Sequence, residues 1–117
     1  MRLNEMAFAD RMPVDGYGPG FFRIGGARRD GPHALLPDAV LPWGGLADFA
    51  PFLDRAAAID VLLVGMGGEI AALDPQRRAA LEGAGIGVET MATPAACRSY
   101  NVLLSEGRRV AAALLPV

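Results

Sequence analysis

The chain has 117 residues, a formal charge of −2 and 52% hydrophobic residues but only 7% aromatics. It is long enough for one domain with a single sizeable core, built mostly from Ala, Leu and Val. All 11 basic residues are Arg and they are scattered, which excludes the basic footprint that nucleic-acid binding requires. The single cysteine, Cys97, excludes an internal disulfide and a CxxC motif, and one histidine, His33, leaves no metal site with recognisable spacing.

The opening MRLNEMAFAD has no apolar signal region, and no run is long enough to span a membrane, so the chain reads as a soluble cytoplasmic protein without a transmembrane segment. Fifteen Gly and nine Pro, concentrated in the first half, predict an N-terminal hairpin and turns there. Phe21–Ile24 (FFRI), bounded by glycines, reads as a strand, and Arg29-Asp30-Gly31 as a turn. His33 to Trp43 reads as one or two short strands broken at Pro37-Asp38; its prolines suit an edge or a bend, where a missing ladder donor does no harm. Trp43, beside Gly44-Gly45, is expected to plug the core.

Leu46, Phe49, Phe52, Leu53 and Ala56 recur at helical spacing and predict a helix over 47–57, with Pro51 in its first turn. Ile59 to Gly65 is a continuous apolar run, typical of a strand covered on both faces. Asp74-Pro75 is an N-cap signal opening a helix that ends at Gly83 or Gly85, and Ile86 to Thr90 is a short strand. Thr93-Pro94 repeats the cap chemistry and opens a helix to Ser105 or Glu106, stopped at Gly107. The Ala-rich end, Arg108 to Val117, reads as a central strand under closely packed helices. The second half is therefore strand, helix, strand, helix, strand, an α/β layered domain.

Two motifs carry chemistry on first sight. Gly65-x-Gly67 after a buried strand imitates a dinucleotide fingerprint, with Glu89 one strand on. Ile70 occupies the place of the third glycine, and no helix starts at the loop to receive a pyrophosphate, so the glycines read as a tight backbone turn. Cys97 lies in the first turn of the last helix, where the dipole favours a thiolate, one turn below Asn101. A nucleophilic thiol needs a base, and no spacing rule brings His33 to it. A small packed residue is the plainer reading. Ala96, Tyr100, Leu103 and Leu104 form the buried stripe of that helix, with the Tyr100 hydroxyl expected at the surface. Arg98 with Glu69, and Glu106 with Arg108, are candidate ion pairs, which contribute little when exposed.

The stretch LLVGMG, followed by ETMATPAACRSYNVLLSEGRRVAAAL, resembles the family called domain of unknown function 498, which includes the Mth-type proteins of archaea, the adipogenesis-associated Mth domain protein and mitochondrial complex I assembly factor 3. The likeness runs from the FFRIGG strand to the C-terminus and is strongest from Ile59 to Leu115, which implies one domain over residues 1–117. Its motif falls on Gly65, Gly67, Glu89, Met91, Thr93, Ala96, Cys97, Tyr100, Asn101, Leu103, Glu106 and Arg108. The resemblance implies a three-layer α/β fold with a central mixed sheet, the C-terminal strand inside it and antiparallel to the rest. It implies no enzymatic activity and no cofactor. It points to protein partners, components of membrane-complex assembly or export, and to a monomer or homodimer. The expected function is an interaction or assembly factor for respiratory complex I or other membrane complexes. The alternative is a small-molecule-binding protein or thiol-dependent enzyme with a pocket near Gly67, Met91, Cys97 and Asn101. Gly65, Glu89, Thr93, Arg98, Tyr100 and Glu106 complete the candidate site residues.

Overall fold

In a computed structural model, residues 11–117 are described, so the Met1–Asp10 segment read above lies outside them. Three short antiparallel strands come first: β1 (Val14–Gly18), β2 (Phe21–Ile24) and β3 (Ala27–Asp30). The turn between β2 and β3 is Gly25-Gly26, both at positive φ (62° and 79°), the two-residue geometry that suits the twist of a hairpin. Arg29 and Asp30 therefore belong to a strand and not to the turn expected there.

The main sheet has five strands in the order β5-β4-β8-β6-β7: β4 (His33–Leu35), β5 (Val40–Pro42), β6 (Val61–Met66), β7 (Gly87–Met91) and β8 (Val110–Leu115). β5 is an edge strand, which is where Pro42 can be tolerated. β8 is central, as its two-faced apolar pattern predicts. It is not antiparallel to the rest: it runs parallel to β6 and antiparallel only to β4. The reason is the crossover connections. Helix α2 (Pro75–Gly83) carries the chain from β6 to β7, and α3 (Thr93–Ser105) carries it back across β6 to β8, each returning it to the end where the strand before began. A strand–helix–strand unit of this kind produces parallel neighbours.

The sheet is the middle of three layers. On one face Leu62, Val64, Val88, Ala111 and Ala113 meet Trp43, Phe49, Phe52, Leu81 and Ile86 from the α1 and α2 side, α1 being Ala50–Leu53. On the other face Leu35, Leu63, Val110, Ala112 and Leu114 meet the small sheet, through Phe22 and Ile24, and α3, through Ala96, Cys97, Tyr100 and Leu104. Alternate residues of β8 serve opposite faces. Each fully buried side chain of the size of Phe52 or Leu62 contributes about 1.5–3 kcal/mol. Trp43 is the expected plug: it packs edge-on against Phe49 and Phe52 and donates its indole N–H to the Asp48 carbonyl.

The helix expected over 47–57 is instead α1 followed by a 3₁₀ turn, Ala56–Ala58. The Pro51 carbonyl accepts from the Arg55 guanidinium at 2.9 Å, while the Arg55 amide turns to Phe52. The side chain takes the place of the next α-helical bond, and the helix stops. The apolar period is still respected, since Phe49 and Phe52 are buried.

Candidate functional site

The structure distributes the candidate residues over three places, apart from Glu106, which lies exposed at the C-cap of α3. The first is the carboxyl end of the parallel strands, where open α/β sheets bind ligands. Here β6 ends at Met66 and is followed by Gly67 at φ 87°, β7 ends at Met91, and α3 starts at Thr93. Thr93 is fully buried and is the first helical residue rather than the cap, because Ala92 occupies that place. Its hydroxyl accepts from the Gly67 amide at 2.9 Å and donates to the Leu115 carbonyl at 2.6 Å, while its own amide donates to the Gly67 carbonyl at 2.8 Å. One side chain thus ties together the ends of β6 and β8 and the start of α3. Gly65 makes that approach possible: a Cβ there would stand 2.8 Å from the Thr93 hydroxyl and 3.0 Å from a Leu114 methyl. The glycines serve backbone packing, and α2 opens only at Pro75.

The second place is the inner face of α3. Cys97 is 4% exposed, and burial pushes its thiol from the ordinary 9.0 up to about 11, with Arg98 pulling weakly the other way. Desolvation outweighs any help from the helix N-terminus, so the thiol is neutral near pH 7. His33 sits on β4, its Nδ1 donating to the Gly31 carbonyl at 3.0 Å and its ring edge-on to Phe22. Tyr100 is 1% exposed, not surface-tipped; its hydroxyl accepts from the Arg11 guanidinium, which also donates to the Val110 carbonyl. Burial raises the Tyr100 pKa as well, with Arg11 opposing. Asn101 accepts from the Val14 amide and donates to the Val14 carbonyl, both at 2.8 Å. It acts as a substitute strand neighbour that clamps β1 to α3.

These two burials fix a pH response. Below about 9 the Cys97 thiol is protonated in folded and unfolded chains alike; between about 9 and about 11 only the unfolded chain ionises it. Folding stability therefore falls across that alkaline window, and the raised Tyr100 adds in the same direction. In urea titrations Cys97→Ala is expected to flatten the loss between pH 9 and pH 11. In the unaltered protein the Cys97 thiol should react with iodoacetamide at pH 7 far more slowly than after unfolding. An equal rate in the folded protein would refute the buried-thiol description.

The third place is a shallow groove of about 530 Å³ between α3 and the β7 edge, lined by Leu63, Glu89, Arg98, Ser99, Val102 and Leu103. Glu89 and Arg98 come together here, with Val102 54% exposed. Among the described residues neither makes an ion pair, and the expected Arg98–Glu69 and Glu106–Arg108 pairs are absent as well. A second groove, of about 410 Å³, lies between α1 and α2 and is lined by Asp48, Leu53, Asp74 and Arg77 among others. Gly67, Met91, Cys97 and Asn101 line neither groove. Sequence reading missed Arg11, Leu63 and Val102. The outward row Arg98–Val102 was readable from its i, i+4 spacing; the other two depend on tertiary contacts.

The molecule so described is a three-layer α/β domain whose signature residues Thr93 and Asn101 bond to its own backbone, with an open, partly apolar groove beside its longest helix. The chain belongs to the family described as protein of unknown function DUF498/DUF598, whose profile matches residues 14–115. It is 50% identical over its full length to an uncharacterised protein of Rhodobacter capsulatus, covering 94% of that protein. It is 36% identical over 97% of its length to the mouse NADH dehydrogenase [ubiquinone] 1 alpha subcomplex assembly factor 3, and spans 65% of that protein's length. Among solved structures, one described as an outer membrane protein from Bartonella henselae superposes with a TM-score of 0.86 at 36% identity, covering 92% of this chain and 96% of that one. A Bordetella pertussis protein described as a Mth938-like domain superposes with a TM-score of 0.73 at 32% identity, covering 90% and 85%. The Mth-type fold is thereby established.

Proposed function

We propose that this protein is a cytoplasmic assembly factor, acting through protein partners in the biogenesis of respiratory complex I or another membrane complex. The observation that carries this reading is the likeness, across 97% of the chain, to proteins named as complex I assembly factors. Two features of the site support it. The polar family residues Thr93 and Asn101 are occupied by backbone groups of their own chain. Cys97 is buried with a raised pKa, which disfavours a thiol nucleophile. What remains open is surface, the groove beside α3 above all. Among the described residues no helix is long and apolar enough to cross a membrane, so on this reading access to a membrane complex comes through its protein subunits.

The test is quantitative affinity purification of the tagged protein at its native expression level, with assembled complex I measured in a deletion strain. Enrichment of complex I subunits or assembly intermediates, together with less assembled complex in the deletion strain, is expected. No enrichment and an unchanged complex would overturn the reading.

A further inference from the structure

The outward face of α3 has a pattern that its own fold does not use. Arg98, Val102 and Glu106 lie four residues apart on one ridge, and all three are exposed. Val102 is one of the most exposed large apolar side chains among the described residues, at 54%. Glu106 is the C-cap residue, where the partial negative charge of the carbonyl ends opposes a carboxylate. Arg98 lies in the half of the helix nearer its positive end, where a cation gains nothing. Neither charge has an ion-pair partner among the described residues. Helix stability therefore explains neither charge, and the solvent-facing Val102 between them is not part of either core cluster.

The arrangement is complementary to itself. Arg98 and Glu106 stand equally far on either side of Val102, with opposite signs. An antiparallel copy of α3, related by a two-fold axis through Val102, sets Arg98 against the partner's Glu106 and Glu106 against the partner's Arg98. The two Val102 side chains then meet at the centre. Half-buried Ser99 and Leu103 flank the ridge and offer the groove beside it. The sheet geometry leaves room for such a helix. β7 is covered by α2 on the side of Val88, while Glu89 on its other side is exposed. The β7 edge is guarded against direct strand addition, because Arg78 donates to the Val88 carbonyl at 3.0 Å. We propose that this face of α3 is a homotypic interface: two copies of the chain associate through antiparallel α3 helices, held by two Arg98–Glu106 contacts around paired Val102 side chains. The interface satisfies the isologous rule that each contact occurs twice.

The proposal stands apart from the assembly role and is tested on the purified protein alone, by sedimentation and light scattering over roughly a hundredfold range of protomer concentration. Wild type should pass from monomer to dimer, and the dimer should weaken as salt rises. Arg98→Glu and Glu106→Arg should each raise the dissociation constant about tenfold or more, since each places two like-charge pairs in the interface. The double exchange R98E/E106R should return it to within about threefold of wild type, because the pairs are restored with signs reversed. Val102→Glu should abolish the dimer, with circular dichroism confirming that each variant is folded. A wild type that stays monomeric throughout overturns the proposal. So does a dimer indifferent to these substitutions, or a double exchange no better than the singles.

Discussion

Thr93→Val should destabilise the fold by about 2–4 kcal/mol, although it changes almost no volume. The residue is fully buried and its hydroxyl is fully used, accepting from Gly67 and donating to Leu115. Valine leaves the buried Gly67 amide without its acceptor and the part-buried Leu115 carbonyl without this donor. Each group left unpaired costs about 1–3 kcal/mol, which outweighs the small gain from an added methyl. The loss should appear as a fall in melting temperature of roughly 8–16 °C for a chain of this size. Thr93→Ser keeps the hydroxyl and should lose less than half as much. Equal losses for the two variants would mean that the methyl group, not the hydrogen bonds, holds the junction. Amide exchange at Gly67 is the local reading: it should accelerate in the valine variant well before the centre of β6 does.

The layered fold was legible because its signals are local. The apolar runs of β6 and β8, the Asp74-Pro75 helix start and the stripe of Ala96, Tyr100, Leu103 and Leu104 all lie within single elements, and the structure places each where its pattern points, with Leu103 half-buried at the margin of the stripe. Strand direction was not legible in the same way. Whether β8 runs with or against β6 depends on which way α3 carries the chain, and no property of the Ala-rich segment encodes that. The periodicity over 47–57 identified the buried side chains correctly, but a burial period does not require one continuous helix when Arg55 can satisfy the Pro51 carbonyl. At the candidate site, Thr93-Pro94 looks like a capping pair because the cap signature is local. The groups that claim the hydroxyl, Gly67 and Leu115, lie 26 and 22 residues away. For the same reason the sequence allows Asn101 a structural bond but does not identify its partner, Val14, which is 87 residues distant. The outward row of Arg98, Val102 and Glu106 was local and readable, yet its meaning emerges only once both other faces of α3 are accounted for.

Gly65→Val is expected to cost more than any substitution on the surface of this protein, about 3 kcal/mol or beyond. Gly65 has no unusual backbone requirement; its constraint is space. Its missing Cβ points at the Thr93 hydroxyl (2.8 Å), a Leu114 methyl (3.0 Å) and the Thr93 Cα (3.2 Å). The last is backbone, and the first is fixed by the two hydrogen bonds just described, so neither can retreat cheaply. Relief must come from moving the start of α3 off the sheet, which breaks the Gly67 and Leu115 contacts in turn. Gly65→Ala should therefore lose about 1–3 kcal/mol, the usual range for overpacking a dense core. The coupling supplies the sharper check. Because both changes loosen one junction, the double variant G65A/T93V should be less unstable than the sum of the two single losses, by about 0.5 kcal/mol or more. Strict additivity in urea denaturation would show that Gly65 and Thr93 act separately, and that the glycine is tolerated there rather than required.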